Sequence, residues 1–148
     1  MNKLIFKKGE AQAFSQFLIK LELRNKTSRL RNKLAKKLDA ITVELDEERI
    51  ELLKELATKD EAGEPVIIEL NGQQSYDVQD KDELADQINE LRNEKVAVEI
   101  GEYSSNFSPL FEYLDSEEFD MVLSGQDALI YDELLTIWED ANSESEEK

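Results

Sequence analysis

The apolar positions at the start of the chain follow a strand pattern and then a helical one. The segment Asn2–Lys7 is short and apolar at its centre, which predicts a strand, and Gly9 ends it. Apolar residues then recur at steps of three and four, which places them on one helix face. These residues are Ala11, Phe14, Leu18 and Leu21. The pattern predicts an amphipathic helix that ends near Asn25.

A second, longer stripe of leucines predicts one long helix. Its members are Leu30, Leu34, Leu38, Ile41, Leu45, Leu52 and Leu56. Neither Pro nor Gly interrupts the segment Ser28–Asp60, so we expect a helix of about 48 Å. The hydroxyl of Thr27 or Ser28 is placed to cap its first turn.

Another apolar stripe starts halfway along this helix and widens its apolar face. It consists of Val43, Ile50, Leu53 and Ala57. We therefore expect the second half to be buried in the body and the first half to contact a single helix. That partner is the helix Glu10–Leu23, folded back as an antiparallel hairpin. A homodimeric coiled coil is the competing interpretation.

The middle of the chain carries hairpin and capping signals. A strand-like run, Val66–Leu70, and an alternating segment, Ser75–Val78, flank Asn71-Gly72, a dipeptide that favours a tight hairpin turn. Asp80 is spaced from Glu83 as in a capping box and predicts the start of a helix. The alternating segment Val96–Ile100 predicts a further strand.

The C-terminal part predicts two more helices and a tail. Ser108-Pro109 is typical of a helix start. A wide apolar face predicts a largely buried helix over about Gly125–Ala141, and residues 142–148 are expected to be a disordered acidic tail. The fold class predicted is α+β, mainly α: a long, coiled-coil-like helical hairpin attached to a small antiparallel sheet packed by C-terminal helices. We expect one domain over 1–141, with a hairpin arm over 9–60 and a base over 61–141.

Composition excludes several kinds of chemistry. The 148 residues include neither Cys nor His, which rules out disulfides, Cys or His zinc ligands and His-dependent nucleophilic catalysis. The five glycines are isolated, so no phosphate-binding loop is present. The run Asp80–Asp86 departs from a calcium loop because Leu84 and Ala85 stand where a ligand and Gly are required. We expect a protein that is not an enzyme, with no catalytic residue, cofactor or metal.

Charge divides the chain into two unequal parts. The formal net charge is −17, but residues 1–37 carry 11 basic and two acidic residues, while the remainder carries seven basic and 33 acidic ones. One interpretation is that the basic part only offsets the acidic part within the fold. The other is that it binds an acidic protein surface through a projecting cluster. The candidate partner-binding residues are Arg24, Arg29, Arg31, Lys33, Lys36 and Lys37.

The sequence gives less support for nucleic acid or a membrane as the binding partner. No aromatic residue lies within Arg24–Lys37, so base stacking is not offered and direct binding to nucleic acid is not expected. No apolar stretch approaches the length of a membrane span. The acidic remainder suggests an alternative function, in which strings of carboxylates imitate nucleic acid and inhibit a host DNA-binding, RNA-binding or defence protein.

Several short patterns together resemble a family of small uncharacterised proteins encoded by tailed phages and prophages of Gram-positive bacteria. The residues that carry the resemblance are Phe14, Leu18 and Leu21, then Thr27-Ser28-Arg29-Leu30-Arg31, Lys59-Asp60-Glu61-Ala62-Gly63, Tyr76-Asp77, Ser124-Gly125-Gln126-Asp127 with the following Ala128–Asp132, and Trp138-Glu139. The resemblance implies a phage-encoded, non-enzymatic accessory protein in the cytoplasm of the bacterial host. Its partner would be a phage or host protein.

Overall fold

Helices dominate the computed structural model, which describes residues 3–101 and 106–146. They form about 60% of the chain, compared with roughly a third in an average globular domain. The helices are α1 (Ala11–Ile19), α2 (Asn25–Leu56), α3 (Lys81–Asn93), α4 (Ser108–Leu114) and α5 (Gln126–Glu146). The strands are β1 (Lys3–Lys7), β2 (Ile67–Leu70), β3 (Gln73–Tyr76) and β4 (Lys95–Glu99), and a 3-10 turn at Lys8–Glu10 joins β1 to α1. The predicted fold class is confirmed.

The strands form two separate antiparallel pairs. In one pair the first and last predicted strands meet, with Leu4 of β1 opposite Val98 of β4. In the other, β2 and β3 form the predicted hairpin around Asn71 and Gly72, whose φ angles are 53° and 80°. Positive φ at both positions is the requirement of a type I′ turn, which explains the Asn-Gly sequence.

The core lies where β1, α1, α4 and α5 surround the first half of α2. The predicted inner face of α1 is buried, and α1 folds back against α2 as an antiparallel hairpin. The rings of Phe111 and Trp138 stack at 5.6 Å between centroids and join α4 to α5. Buried side chains of this core include Leu4, Phe6, Phe14, Phe17, Leu18, Leu34, Leu38, Ile100, Phe107, Leu110, Phe111, Leu114, Leu134 and Trp138.

The expectation about the two halves of α2 is wrong. Leu34 and Leu38 in the first half are almost fully buried and belong to the main core. In the second half, Val43 and Ile50 are 56% and 38% exposed. The first half packs against α1 and α4, which bury its leucines, whereas α3 is the main helical neighbour of the second half and covers only one side of it. The basic part of α2 is therefore packed into the body and does not project as an arm.

Both ends of α2 also differ from the prediction. The helix begins at Asn25, and the hydroxyl of Thr27 donates to the carbonyl oxygen of Arg24 at 2.7 Å rather than accepting from a first-turn amide. The helix ends at Leu56, four residues before Asp60. Ala57 pairs with Val78 in an isolated bridge, and these strand-like bonds replace the helical ones.

Helix α5 is longer than predicted. It continues to Glu146 and takes in residues 142–146, which the sequence assigned to a disordered tail. No Pro or Gly follows Gly125, so nothing local ends the helix at Ala141. Residues 147–148 of the predicted tail lie outside the described residues.

Candidate partner-binding surface

The six predicted partner-binding residues lie at the start and along the first half of α2. Arg24 is the residue that precedes the helix, and the other five are within it. Five of the side chains are exposed, namely Arg24, Arg29, Lys33, Lys36 and Lys37. The sixth, Arg31, is half-buried. The structure thus places all six residues at the start of one helix or within it, but it exposes only five of their side chains.

Arg31 contributes to the packing of the helical hairpin. Its Nη1 donates to the carbonyl oxygens of Leu18 and Leu21 at 2.9 and 2.7 Å. These carbonyls lie in the last turn of α1 and in the residues just after it, where backbone acceptors lack helical partners. The guanidinium therefore closes the C-terminal end of α1. Sequence reasoning missed this role because it depends on how the hairpin closes.

The exposed basic side chains form a continuous face. Arg29, Lys33 and Lys36 follow one another at steps of four and three, which places them on successive turns of one side. With Lys26 they line an open groove along the first half of α2. Lys37 lies beside this line. We call the exposed side of α2 from Lys26 to Glu55 the outer face.

The outer face changes sign halfway along the helix. Beyond residue 43, acidic side chains continue the same spacing, and all of them are exposed: Glu44, Glu47, Glu51 and Glu55. Between the basic and acidic blocks lie the exposed apolar residues Ala40 and Val43, followed by Ile50. The sequence contains a pattern that indicates this charged face, because its polar positions recur with the same periodicity as the leucine stripe.

The order of the two charge blocks opposes the dipole of α2. A helix favours negative charge near its N-terminus and positive charge near its C-terminus, by about 0.3–1 kcal/mol per group. Here Lys26 and Arg29 lie near the N-terminus, and Glu51 and Glu55 lie near the C-terminus. The only basic residue in the last turn is Lys54, whose Nζ lies 3.8 Å from Oε1 of Glu51. The stability of an isolated helix does not account for this order of charges.

A second acidic surface lies between α2 and α3. Five carboxylates line a groove there with Leu52, Gln87 and Leu91, namely Glu48, Glu51, Glu55, Glu90 and Glu94. Lys8 closes one end of it, with Nζ at 3.1 Å from Oε1 of Glu48 and 3.0 Å from Oε2 of Glu94. The hydrogen bond to Glu94 raises the pKa of Lys8, burial opposes this effect, and Glu48 reinforces it.

Another pair of carboxyl groups lies beside β1. Glu10 and Glu133 line a shallow groove between β1 and α5, together with Lys7 and Lys95. Desolvation raises the pKa of Glu133, and the charge and hydrogen bonding of Glu10 raise it further. Both carboxyl groups have structural partners, because Oε1 of Glu10 also accepts from the backbone N–H of Lys7 at 3.1 Å.

Residues 3–101 and 106–146 offer neither a metal site nor a membrane span. Within these ranges, no group of three or more acidic side chains is arranged to hold a metal ion. Among the same residues, no helix combines the length and the apolar character required to cross a membrane.

Comparison with known proteins gives one match. A family model described as "Protein of unknown function (DUF1617)" matches residues 2–145. No curated protein and no solved structure matches the chain. The family match covers nearly the whole sequence, so it includes the outer face of α2 and the core that supports it.

Proposed function

Since the chain belongs to the DUF1617 family, whose function is unknown, we propose its function from its own surface: a non-enzymatic protein that acts by binding another protein. The contact surface is the outer face of α2, and its basic block binds an acidic surface of the partner. The residues of this block are Arg29, Lys36 and Lys37, with Lys26 and Lys33 beside them.

The observation that carries this proposal is the organisation of the outer face. Basic side chains lie together on a rigid helix whose opposite side is anchored in the core by Leu34 and Leu38. A helix held in this way presents its charges at fixed positions, which favours specific recognition. The order of the charges opposes the helix dipole and therefore lowers the stability of α2. A role in binding explains why the charges are placed in this order.

The origin and the compartment form part of the same proposal. The resemblance to small phage and prophage proteins supports an accessory role during infection. In that role the chain works in the cytoplasm of the bacterial host, and its partner is a phage or host protein. The absence of Cys and His from the sequence is compatible with a role that requires no nucleophilic chemistry.

Affinity capture tests the proposal. Tagged wild-type protein and the triple variant R29E/K36E/K37E are incubated with lysate of infected or prophage-carrying cells, and captured proteins are identified by mass spectrometry. A control variant, K81E/K95E, reverses two exposed charges on α3 and β4, away from the outer face. We expect the wild type and the control to capture the same acidic partner and the R29E/K36E/K37E variant to lose it.

The outcome that contradicts the proposal is equally clear. If the R29E/K36E/K37E variant keeps its native circular dichroism spectrum and captures the same partner at the same yield, the basic block is not the contact surface. Substitution of Arg31 is avoided in this test, because its hydrogen bonds to α1 would confound a loss of binding with a loss of stability.

The groove between α2 and α3 favours a second candidate function. Its five glutamates form two lines of negative charge, and such lines could imitate a phosphate backbone and inhibit a host DNA-binding, RNA-binding or defence protein. In that case the captured partner binds nucleic acid, and added DNA or RNA displaces it. The variant E51K/E55K/E90K would then lose the partner, whereas R29E/K36E/K37E would retain it.

A further inference from the structure

We infer that the acidic surface bound by the basic block is the acidic half of the same outer face in a second copy of this chain. Two α2 helices would lie antiparallel, related by a two-fold axis near residue 42. This inference rests on the proposed binding role of the outer face and identifies the partner. It differs from a coiled coil through the leucine stripe, in which Leu34, Leu38 and Leu45 are already buried within one chain.

The charges of the outer face are complementary in this antiparallel arrangement. About an axis at residue 42, Arg29 of one copy lies opposite Glu55 of the other, and Lys37 lies opposite Glu47. Each contact occurs twice, because a two-fold interface repeats every pair. A parallel pair would instead place like charges together, so the charge order selects the antiparallel orientation.

The centre of the outer face is suited to close packing. Lys36, Ala40, Val43, Glu47 and Ile50 are spaced by alternating steps of four and three, which is the spacing of a coiled-coil seam. Val43 lies next to the inferred axis and is 56% exposed, although it is β-branched and apolar. A second copy would cover Val43 and Ile50, which the body of the chain leaves exposed.

The rest of the fold leaves this side of α2 accessible. The side chains that fasten α2 to its own chain point away from the outer face, as the buried Leu34 and Leu38 show. On the α1 side, Ser15 donates to Oδ1 of Asp39 at 2.6 Å, and Asp39 borders the outer face without crossing it. On the other side, α3 borders the acidic half across the groove that Glu51 and Glu55 also line, and both side chains remain exposed there. The outer face is therefore accessible to a second copy that approaches along α2 between α1 and α3.

A charge-exchange experiment tests the inference on the full chain. One variant, R29E/K37E, reverses the two basic members of the pairs Arg29–Glu55 and Lys37–Glu47, and a second, E47K/E55K, reverses their two acidic members. Sedimentation velocity should show a concentration-dependent dimer for the wild type and at least a tenfold weaker one for each variant alone. Mixing the two variants should restore the dimer, because each half then meets the opposite charge. The control K81E/K95E should dimerise like the wild type.

Cysteine cross-linking determines the orientation, since the natural chain contains no Cys. Under mild oxidation Val43→Cys should form a disulfide-linked dimer, because the two copies of residue 43 meet near the axis. Arg29→Cys should not, because the two copies of residue 29 would lie about 40 Å apart in an antiparallel pair. Efficient cross-linking of Arg29→Cys would overturn the antiparallel arrangement.

The outcomes separate this inference from the proposed function. A wild-type chain that stays monomeric up to millimolar concentration overturns the inference, and so does a dimer that both variants retain. In either case the proposed function still stands if capture of another protein depends on Arg29, Lys36 and Lys37. If that capture fails as well, both proposals fall. A dimer that is restored only in the mixed sample supports the inference.

Discussion

The guanidinium of Arg31 lies 2.7 Å from the carbonyl oxygen of Leu21, and this hydrogen bond joins the start of α2 to the chain just beyond α1. A second bond to Leu18 makes the contact bidentate across one turn. The basic cluster therefore contains two kinds of residue. Arg31 holds the hairpin together, whereas Arg29, two positions earlier and on the opposite side of the helix, is exposed.

Replacement of Arg31 is expected to destabilise the hairpin. Arg31→Ala removes the side-chain donor to both carbonyl oxygens, of which only that of Leu18 still accepts from a backbone N–H, that of Leu21 at 3.1 Å, so the free energy of unfolding should fall by about 1–3 kcal/mol. Arg31→Lys should restore only part of this, because a single ammonium cannot also replace the bonds that Nε and Nη2 donate to Asn32 and Ser28. Urea unfolding followed by circular dichroism measures the change. Arg29→Ala is the control, and an equal loss in both variants would refute the role of Arg31.

The two halves of α2 should differ in their sensitivity to truncation. Leu34→Ala removes a fully buried side chain and should lower the free energy of unfolding by about 2–5 kcal/mol. Ile50→Ala alters an exposed position and should change it by about 0.5 kcal/mol or less. Both are measured by urea unfolding of dilute, monomeric protein. A cost for Ile50→Ala that equals that of Leu34→Ala would contradict the burial of the first half.

Lys8 should make stability depend on alkaline pH. Because the hydrogen bond to Glu94 raises its pKa in the folded state, the stabilisation is complete below the unfolded value of about 10.4. It is lost as the pH rises through the folded value. The stability difference between the wild type and Lys8→Gln should thus be constant from pH 7 to 9 and shrink above pH 10. Thermal melts across this range measure it, and a constant difference up to pH 11 would speak against the bridge.

Glu133 should have the opposite effect in the acidic range. Desolvation and Glu10 raise its pKa in the folded state, so ionisation of Glu133 opposes folding above the ordinary value of about 4.3. Glu133→Gln should therefore raise the melting temperature at pH 7 and leave it unchanged at pH 3, where both states are protonated. Glu139→Gln on the same helix is the control. An equal rise in both variants at pH 7 would attribute the effect to net charge alone.

Local signals in the sequence were reliable where one segment decides its own structure. The Asn71-Gly72 turn has the predicted positive φ angles, and Asp80 caps α3 by accepting from the backbone N–H of Glu83 at 3.0 Å. The uninterrupted stripe from Leu30 to Leu56 does form one helix. Each of these features depends on residues within a few positions of one another, so neighbouring residue types were sufficient to predict them.

The pairing of distant segments was beyond these signals. Alternating strands at Lys3–Lys7 and Lys95–Glu99 carry no mark that identifies them as partners, although they pair in the fold. The sequence also did not show that the acidic half of the outer face is an accessible surface. Its periodicity was present in the sequence, but only the burial of the opposite side of α2 shows that this face is accessible.

The sequence by itself determined which segments are helices and strands and that charge is divided along the chain. Those properties follow from local periodicity, capping and composition. The tertiary structure alone decided that the first half of α2 lies in the core, that Arg31 closes α1, and that two blocks of opposite charge share one exposed face. The reason is physical: an apolar stripe specifies that a face must be covered, and only the packing of distant elements specifies what covers it.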